Sequence, residues 1–222
     1  MPIDPEQFAS LVDPALYHRS GKVFYSGRAA FSAPARVYLL GLNPGGSPIL
    51  QAEETIERNL RDWQNRPARW SDYLDESWAG MAPGTYGMAP RIRHLFERIG
   101  LDPREVPASN VVFVRSAREA DLTLEKDSLL GKCWGVHAAV IEALGVSTII
   151  CLGGTAGRWV RSRLGAERKV GEFVENNDRR WRSDAHVSQN GLTVVTLTHP
   201  SIADWRNPAA DPTPLVVETL AR

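Results

Sequence analysis

The chain has 222 residues, 26 Lys plus Arg against 26 Asp plus Glu, and 43% hydrophobic residues. That length and composition suit one soluble globular domain. The formal net charge of zero argues against a strong nonspecific grip on nucleic acid, which needs phosphate neutralisation. No apolar run approaches the roughly 20 residues needed to span a bilayer. The start, Met1-Pro2-Ile3-Asp4, lacks the basic and apolar blocks of a leader, so a cytoplasmic location and no membrane partner are expected.

Residues 4–20 read as one short helix, and Lys22 to Ser26 as an edge strand. Ala35 to Leu40 is an apolar run of strand length, closed by the turn residues Asn43-Pro44-Gly45-Gly46. Residues 50–65 place Ile56, Leu60 and Trp63 at helical spacing between charges, which predicts an amphipathic helix with a core-facing stripe. Residues 66–87 are rich in Pro, Gly and Trp and read as a long irregular stretch, a frequent form of binding loop. Helix returns over 89–99, with Gly100 as its stop.

Asn110-Val111-Val112-Phe113-Val114 reads as a second strand and Ser128 to Leu144 as a helix ended by Gly145. Thr148 to Leu152 is a third strand, after which Gly153-Gly154-Thr155-Ala156-Gly157 opens a helix to about Leu164. Residues 170–190 are polar and read as hairpin or loop; residues 192–198 form the fourth strand, and Pro212 to Leu220 a closing helix. Strands alternating with helices predict an α/β fold with a mainly parallel sheet covered on both faces.

Cys133 and Cys151 sit in apolar surroundings and read as buried free thiols. Two cysteines cannot complete a four-cysteine cluster, and the five His show no metal-ligand spacing, so no metal or cofactor is expected. Arginines cluster at Arg158, Arg161, Arg163 and Arg168, and again at Arg179, Arg180 and Arg182. Such clusters fit either a solvated surface or a local basic face.

Taken singly, the chemistry-bearing motifs have plain structural readings. Gly41-Leu42-Asn43-Pro44-Gly45 is a turn; His199-Pro200-Ser201 is a strand end with the ring projecting; Asn110 fits an Asx turn. The 153–157 loop lacks the Gly-Lys-Ser/Thr ending of a phosphate loop and the glycine spacing of a dinucleotide fingerprint. Their order along the chain carries more. Ligands of open α/β sheets bind beyond the carboxyl ends of strands, so Asn43 and His199 are expected to face one cleft.

In that order of motifs the chain resembles the uracil-DNA glycosylase superfamily. The resemblance rests on Gly41-Leu42-Asn43-Pro44-Gly45 after a strand, and on Gly84-Thr85-Tyr86-Gly87 leading into a helix. It continues through Ser109-Asn110-Val111-Val112, Ile149 to Gly157, and His199-Pro200-Ser201 with the downstream Arg206-Asn207-Pro208. It runs from about Val37 to Asn207.

The resemblance implies a three-layer α/β/α sandwich around a four-stranded, mainly parallel sheet. It implies hydrolysis of the N-glycosidic bond of uracil or a related deaminated base flipped out of DNA, as in base excision repair, by a monomer without a cofactor. Asn43 would position the attacking water and His199 would stabilise negative charge on the departing base. Tyr86 would stack on that base, Asn110 would read its edge, and Gly41, Leu42, Pro44 and Gly45 would complete the base pocket. Gly153, Thr155, Ser201, Ile202, Trp205 and Arg206 would contact DNA, with Ile202 or Trp205 as the wedge entering the base stack.

The chain departs from the family in three places. The first motif has no Asp to act as a strong base, so catalysis would rest on positioning. Only two cysteines are present where the iron–sulfur branches use four. The stretch between Pro48 and Pro83 is long, and reads as a lid or as a block to duplex that favours single strands. Two other readings stay open: a noncatalytic relative binding nucleic acid or a free nucleobase, and a small-molecule enzyme using the 153–157 loop.

Overall fold

The computed structural model describes residues 3–222; Met1 and Pro2, the head of the stretch read for a leader, lie outside the described residues. Six strands form one mixed sheet: β1 (Val37–Gly41), β2 (Ala108–Asn110), β3 (Thr148–Leu152), β4 (Arg168–Val174), β5 (Arg182–Val187) and β6 (Thr193–Leu197). Their order is β2-β1-β3-β6-β5-β4. The first four in that order run parallel, and β5 and β4 continue the sheet antiparallel. Every residue of β1 and β3 is buried, which is why both appear as unbroken apolar runs rather than alternating ones.

Alternate side chains on these strands enter two separate cores. Tyr38, Leu40, Ile149, Cys151 and Val194 pack with residues of α1 (Glu6–Ala9), α2 (Ile56–Asn65), α5 (Lys126–Leu144) and α6 (Gly154–Leu164). Val37, Leu39, Ile150, Leu152, Val195 and Leu197 pack with Tyr73 of the one-turn α3 (Asp72–Asp75), and with residues of α4 (Ala89–Ile99) and α7 (Thr213–Leu220). The period of two along each strand thus assigns each residue to one core or the other. Among the described residues, no helix is long and apolar enough to cross a membrane.

Several sequence expectations are corrected. The sheet has six strands, not four, because the polar stretch 170–190 is a β-hairpin whose outer strand, β4, has no fully buried residue and so shows no apolar run. The expected helix over 4–20 breaks into α1 and a 3-10 turn at Pro14–Leu16. Pro14 cannot continue a helical ladder, and the Asp13 carboxylate accepts from Ala15 N at 2.9 Å to start a new turn.

The second strand covers Ala108–Asn110, ahead of the Val111–Val114 run. Val111 and Val112 instead donate to Gly41 O and Leu42 O, both at 2.9 Å, and so run beside the first-motif loop. Lys22–Ser26 is not a strand of the sheet. It reaches β2 through an isolated bridge from Phe24 to Ser109, a Tyr25 N–H bond to Ala108 O and a bond from the Ser109 hydroxyl to Val23 O.

Candidate functional site

The parallel pairings bring the separate motifs to one edge. Gly41 is opposite Asn110, Leu40 opposite Cys151, Cys151 opposite Thr196, and Leu152 opposite Leu197. The segments that follow β1, β3 and β6 therefore leave the sheet side by side. Only β3 separates β1 from β6, so their axes lie about 10 Å apart. Strand order reverses between β1 and β3, the position at which an open α/β sheet forms its ligand crevice.

Hydrogen bonding fixes the orientation of the Asn43 amide. Its Nδ2 donates to Pro44 O and to Ser116 Oγ, both at 2.9 Å. Ser116 donates its single hydroxyl proton to Arg118 O at 2.9 Å, so toward Asn43 it can only accept. Both amide protons are committed, and among the described residues nothing donates to Oδ1. The side chain thus presents an acceptor. Pro44 is buried, and its carbonyl also receives Ser116 N at 3.1 Å. Arg115, 8% exposed, donates to Gly45 O and to Glu54 at 2.6 Å and pins the far side of the same loop.

Sequence reasoning missed Arg115 and Ser116. Their only signal was their position directly after the apolar run Val111–Val114.

Asn110 ends β2, buried, with its side chain over Gly41. A Cβ at position 41 would fall inside the van der Waals radius of Asn110 Oδ1, so glycine there is a condition of the asparagine's placement. The Asn110 side chain also adjoins the Tyr25 phenol. Burial first, then the Asp72 carboxylate, push that phenol well above its ordinary pKa. It is therefore a neutral hydroxyl.

His199 is held in one tautomer. The backbone N–H of Ser201, which can only donate, points to His199 Nδ1 at 3.1 Å, and Ser201 Oγ lies 2.7 Å from the same nitrogen. Nδ1 is thus the acceptor and Nε2 carries the proton. Desolvation lowers the ring's pKa, which keeps it neutral at pH 7. One side of the ring rests on Gly153, whose φ is +99° and where any Cβ would approach His199 Cδ2 to 3.2 Å.

The remaining predicted residues divide. Tyr86, 49% exposed, lines a cleft of about 1080 Å³ together with Gly45, Gly46, Trp70 and Trp78. Asn43, Asn110 and His199 are not on that cleft's lining, so the structure does not bring Tyr86 together with them; of the first-motif turn only Gly45 and Gly46 reach it. Leu42 packs inward against the core, and Thr155 donates to Glu119 at 3.1 Å. Ile202 is 58% exposed beside His199.

Trp205 is corrected outright. It is 0% exposed among core residues, with its Nε1 donating to Thr198 O at 3.2 Å, so it cannot enter a base stack. Arg206 is not a free cation, because it forks onto Asp204 at 2.9 and 3.1 Å. Those bonds hold the Asp204 carboxyl down at about 2.

Cys133 and Cys151 are buried free thiols, as expected. Burial pushes the Cys133 thiol up to about 12, which makes it inert as a nucleophile. No family model matches the sequence, and no curated protein matches it.

Proposed function

We propose that the chain is a monofunctional DNA glycosylase that hydrolyses the N-glycosidic bond of uracil or a related deaminated base extruded from DNA. One observation carries the reading: a free amide acceptor, Asn43 Oδ1, and a neutral imidazole donor, His199 Nε2–H, leave the same sheet edge, with the Asn110 amide at the end of β2 on the other side of β1. Helices packed on both faces fit the three-layer α/β/α arrangement of the glycosylases that the sequence resembles.

In this mechanism the C1′–N1 bond breaks and its electron pair passes to the base, raising negative charge on the base O2. His199 Nε2–H donates to that oxygen. Fixed donors aimed at developing charge are usually the largest catalytic contribution, about 3–4 kcal/mol each. Water supplies the new C1′–O bond while Asn43 Oδ1 accepts one of its hydrogens. An amide is too weak a base to take that proton fully, so it passes to solvent and the base is reprotonated there. Asn110 offers a donor and an acceptor together, as the uracil edge requires. Tyr86 supplies a stacking face.

An end-labelled oligonucleotide with one uracil, incubated and then treated with alkali, tests the reading. Cleavage by the wild type and its loss in Asn43→Ala are expected. Equal results for the two proteins on single strands, U:G pairs and hypoxanthine pairs would overturn it. Binding of uracil or abasic DNA without turnover would favour a noncatalytic relative.

A further inference from the structure

The β4–β5 hairpin adds Ala185, Val170 and Phe173 to the core shared with α4 and α7, and its turn lies at the functional edge. β5 runs antiparallel to β6, with Asp184 opposite Thr196 and Val187 opposite Thr193. Residues 175–181 therefore stand beside the carboxyl end of β6, where His199 emerges. The turn is bonded to that loop: Arg179 Nη1 donates to Ile202 O at 2.8 Å, and Ile202 N donates to His199 O at 3.1 Å. A second tie runs from Asn176 N to Ala209 O at 2.7 Å.

The turn is built more firmly than a solvated hairpin end requires. Glu175 is 0% exposed and accepts from Arg179 Nε at 3.1 Å, Arg179 Nη2 at 2.9 Å and Asn177 Nδ2 at 2.9 Å. Arg179 in turn lies 4.3 Å from the centroid of Trp181, whose ring is 36% exposed. Arg180 holds a φ of +52°, uncommon for any residue but glycine, and among the described residues its side chain makes no ion pair or hydrogen bond. The turn and its flank carry three arginines against two carboxylates, Glu175 and Asp178. With Trp205 in the interior, the exposed apolar side chains of the hairpin turn and of the His199 loop are Trp181 and Ile202.

We propose that this hairpin tip is a DNA-contacting element, in which Trp181 stacks on the bases next to the extruded nucleotide and Arg180 meets a backbone phosphate. Arg179, braced by buried Glu175, joins the tip to Ile202 so that the two apolar side chains act as one wedge. The proposal rests on the glycosylase reading for the identity of the ligand. Its test reads binding rather than catalysis, so failure of the tip alone and failure of the glycosylase reading alone give different results.

The full-length protein is titrated into a fluorescein-labelled duplex that contains an abasic-site analogue flanked by 2-aminopurine. Both side chains are exposed, so Trp181→Ala and Arg180→Ala should leave folding intact, as circular dichroism would verify. Trp181→Ala should weaken binding about tenfold and abolish the 2-aminopurine increase that reports unstacking, with both largely restored in Trp181→Phe. Arg180→Ala should lower the slope of log K against log salt by about 0.9, the value for one phosphate contact.

Wild-type affinity, salt slope and 2-aminopurine signal in both alanine variants would overturn the tip's role even if the wild type cleaves uracil. Tip-dependent binding by a protein that cleaves no lesion would uphold the tip and overturn the glycosylase reading. No binding by the wild type would overturn both.

Discussion

Ser116 touches no substrate in the proposed reaction, yet it decides which end of the Asn43 amide faces outward. Removing its hydroxyl in Ser116→Ala deletes the 2.9 Å bond to Asn43 Nδ2 and leaves the Pro44 carbonyl as the only acceptor holding the amide. One neutral hydrogen bond is worth about 0.5–1.5 kcal/mol, and each 1.4 kcal/mol is tenfold, so the single-turnover rate should fall between about twofold and twelvefold. Pro44 O still opposes a full flip, which is why a larger loss is not expected. KM for a single-stranded uracil oligonucleotide should stay unchanged, and Ser116→Thr, which keeps the hydroxyl, should restore the rate. The assay is single-turnover cleavage under enzyme excess, with thermal melting to confirm folding. A rate equal to wild type in Ser116→Ala, or an equal loss in Ser116→Thr, would refute the argument.

Gly41→Ala should displace the Asn110 side chain; discrimination between uracil and cytosine should collapse while near-native secondary structure persists, both measurable by cleavage of paired oligonucleotides and circular dichroism. His199 acts in its neutral form with a lowered pKa, so kcat should be flat above pH 7 and fall only below the ordinary histidine range. A limb centred above pH 7 would contradict the donor role. His137 is fully buried with its Nδ1 2.9 Å from the Tyr38 hydroxyl, and desolvation lowers its pKa to about 4. The unfolded chain binds that proton from about pH 6.5 downward. Its contribution to stability is therefore complete above pH 6.5 and lost as pH falls toward 4, about 2 kcal/mol by pH 5 in urea titrations. Trp205→Ala should cost about 3–5 kcal/mol of folding stability, and calorimetry should show that loss with no separate defect in DNA affinity of the folded protein.

The strands that build the site were legible because burial on both faces writes an unbroken apolar run that turn residues then punctuate. Val37–Leu40, Thr148–Leu152 and Thr193–Leu197 all carry that signal, and their parallel pairing makes Asn43 and His199 neighbours. β2 was misplaced because only three residues pair, while the stronger apolar run that follows is buried against a loop. For the β4–β5 hairpin the sequence does not decide between hairpin and loop, because its outer strand is charged and has no fully buried residue. Trp205 was misread because a single aromatic between Asp204 and Arg206 has no periodicity to show which way it turns. Ser116 and Arg115 act through contacts across 73 and 70 residues, to Asn43 and Gly45, and no local pattern encodes those.

The two outer strands of the sheet also govern how the molecule meets copies of itself. At the β2 rim, the Tyr25 amide and the Ser109 hydroxyl, bonded to Val23 O, occupy the chain that a newcomer would pair with. At the β4 rim, Arg168, Lys169 and Glu172 stand on a strand whose register slips between Lys169 and Gly171. Charge and irregularity there deny a foreign strand a straight template. Fibre growth by edge addition is thereby discouraged at both ends by different means, and a cut within residues 20–26 would be the simplest way to expose the first of them.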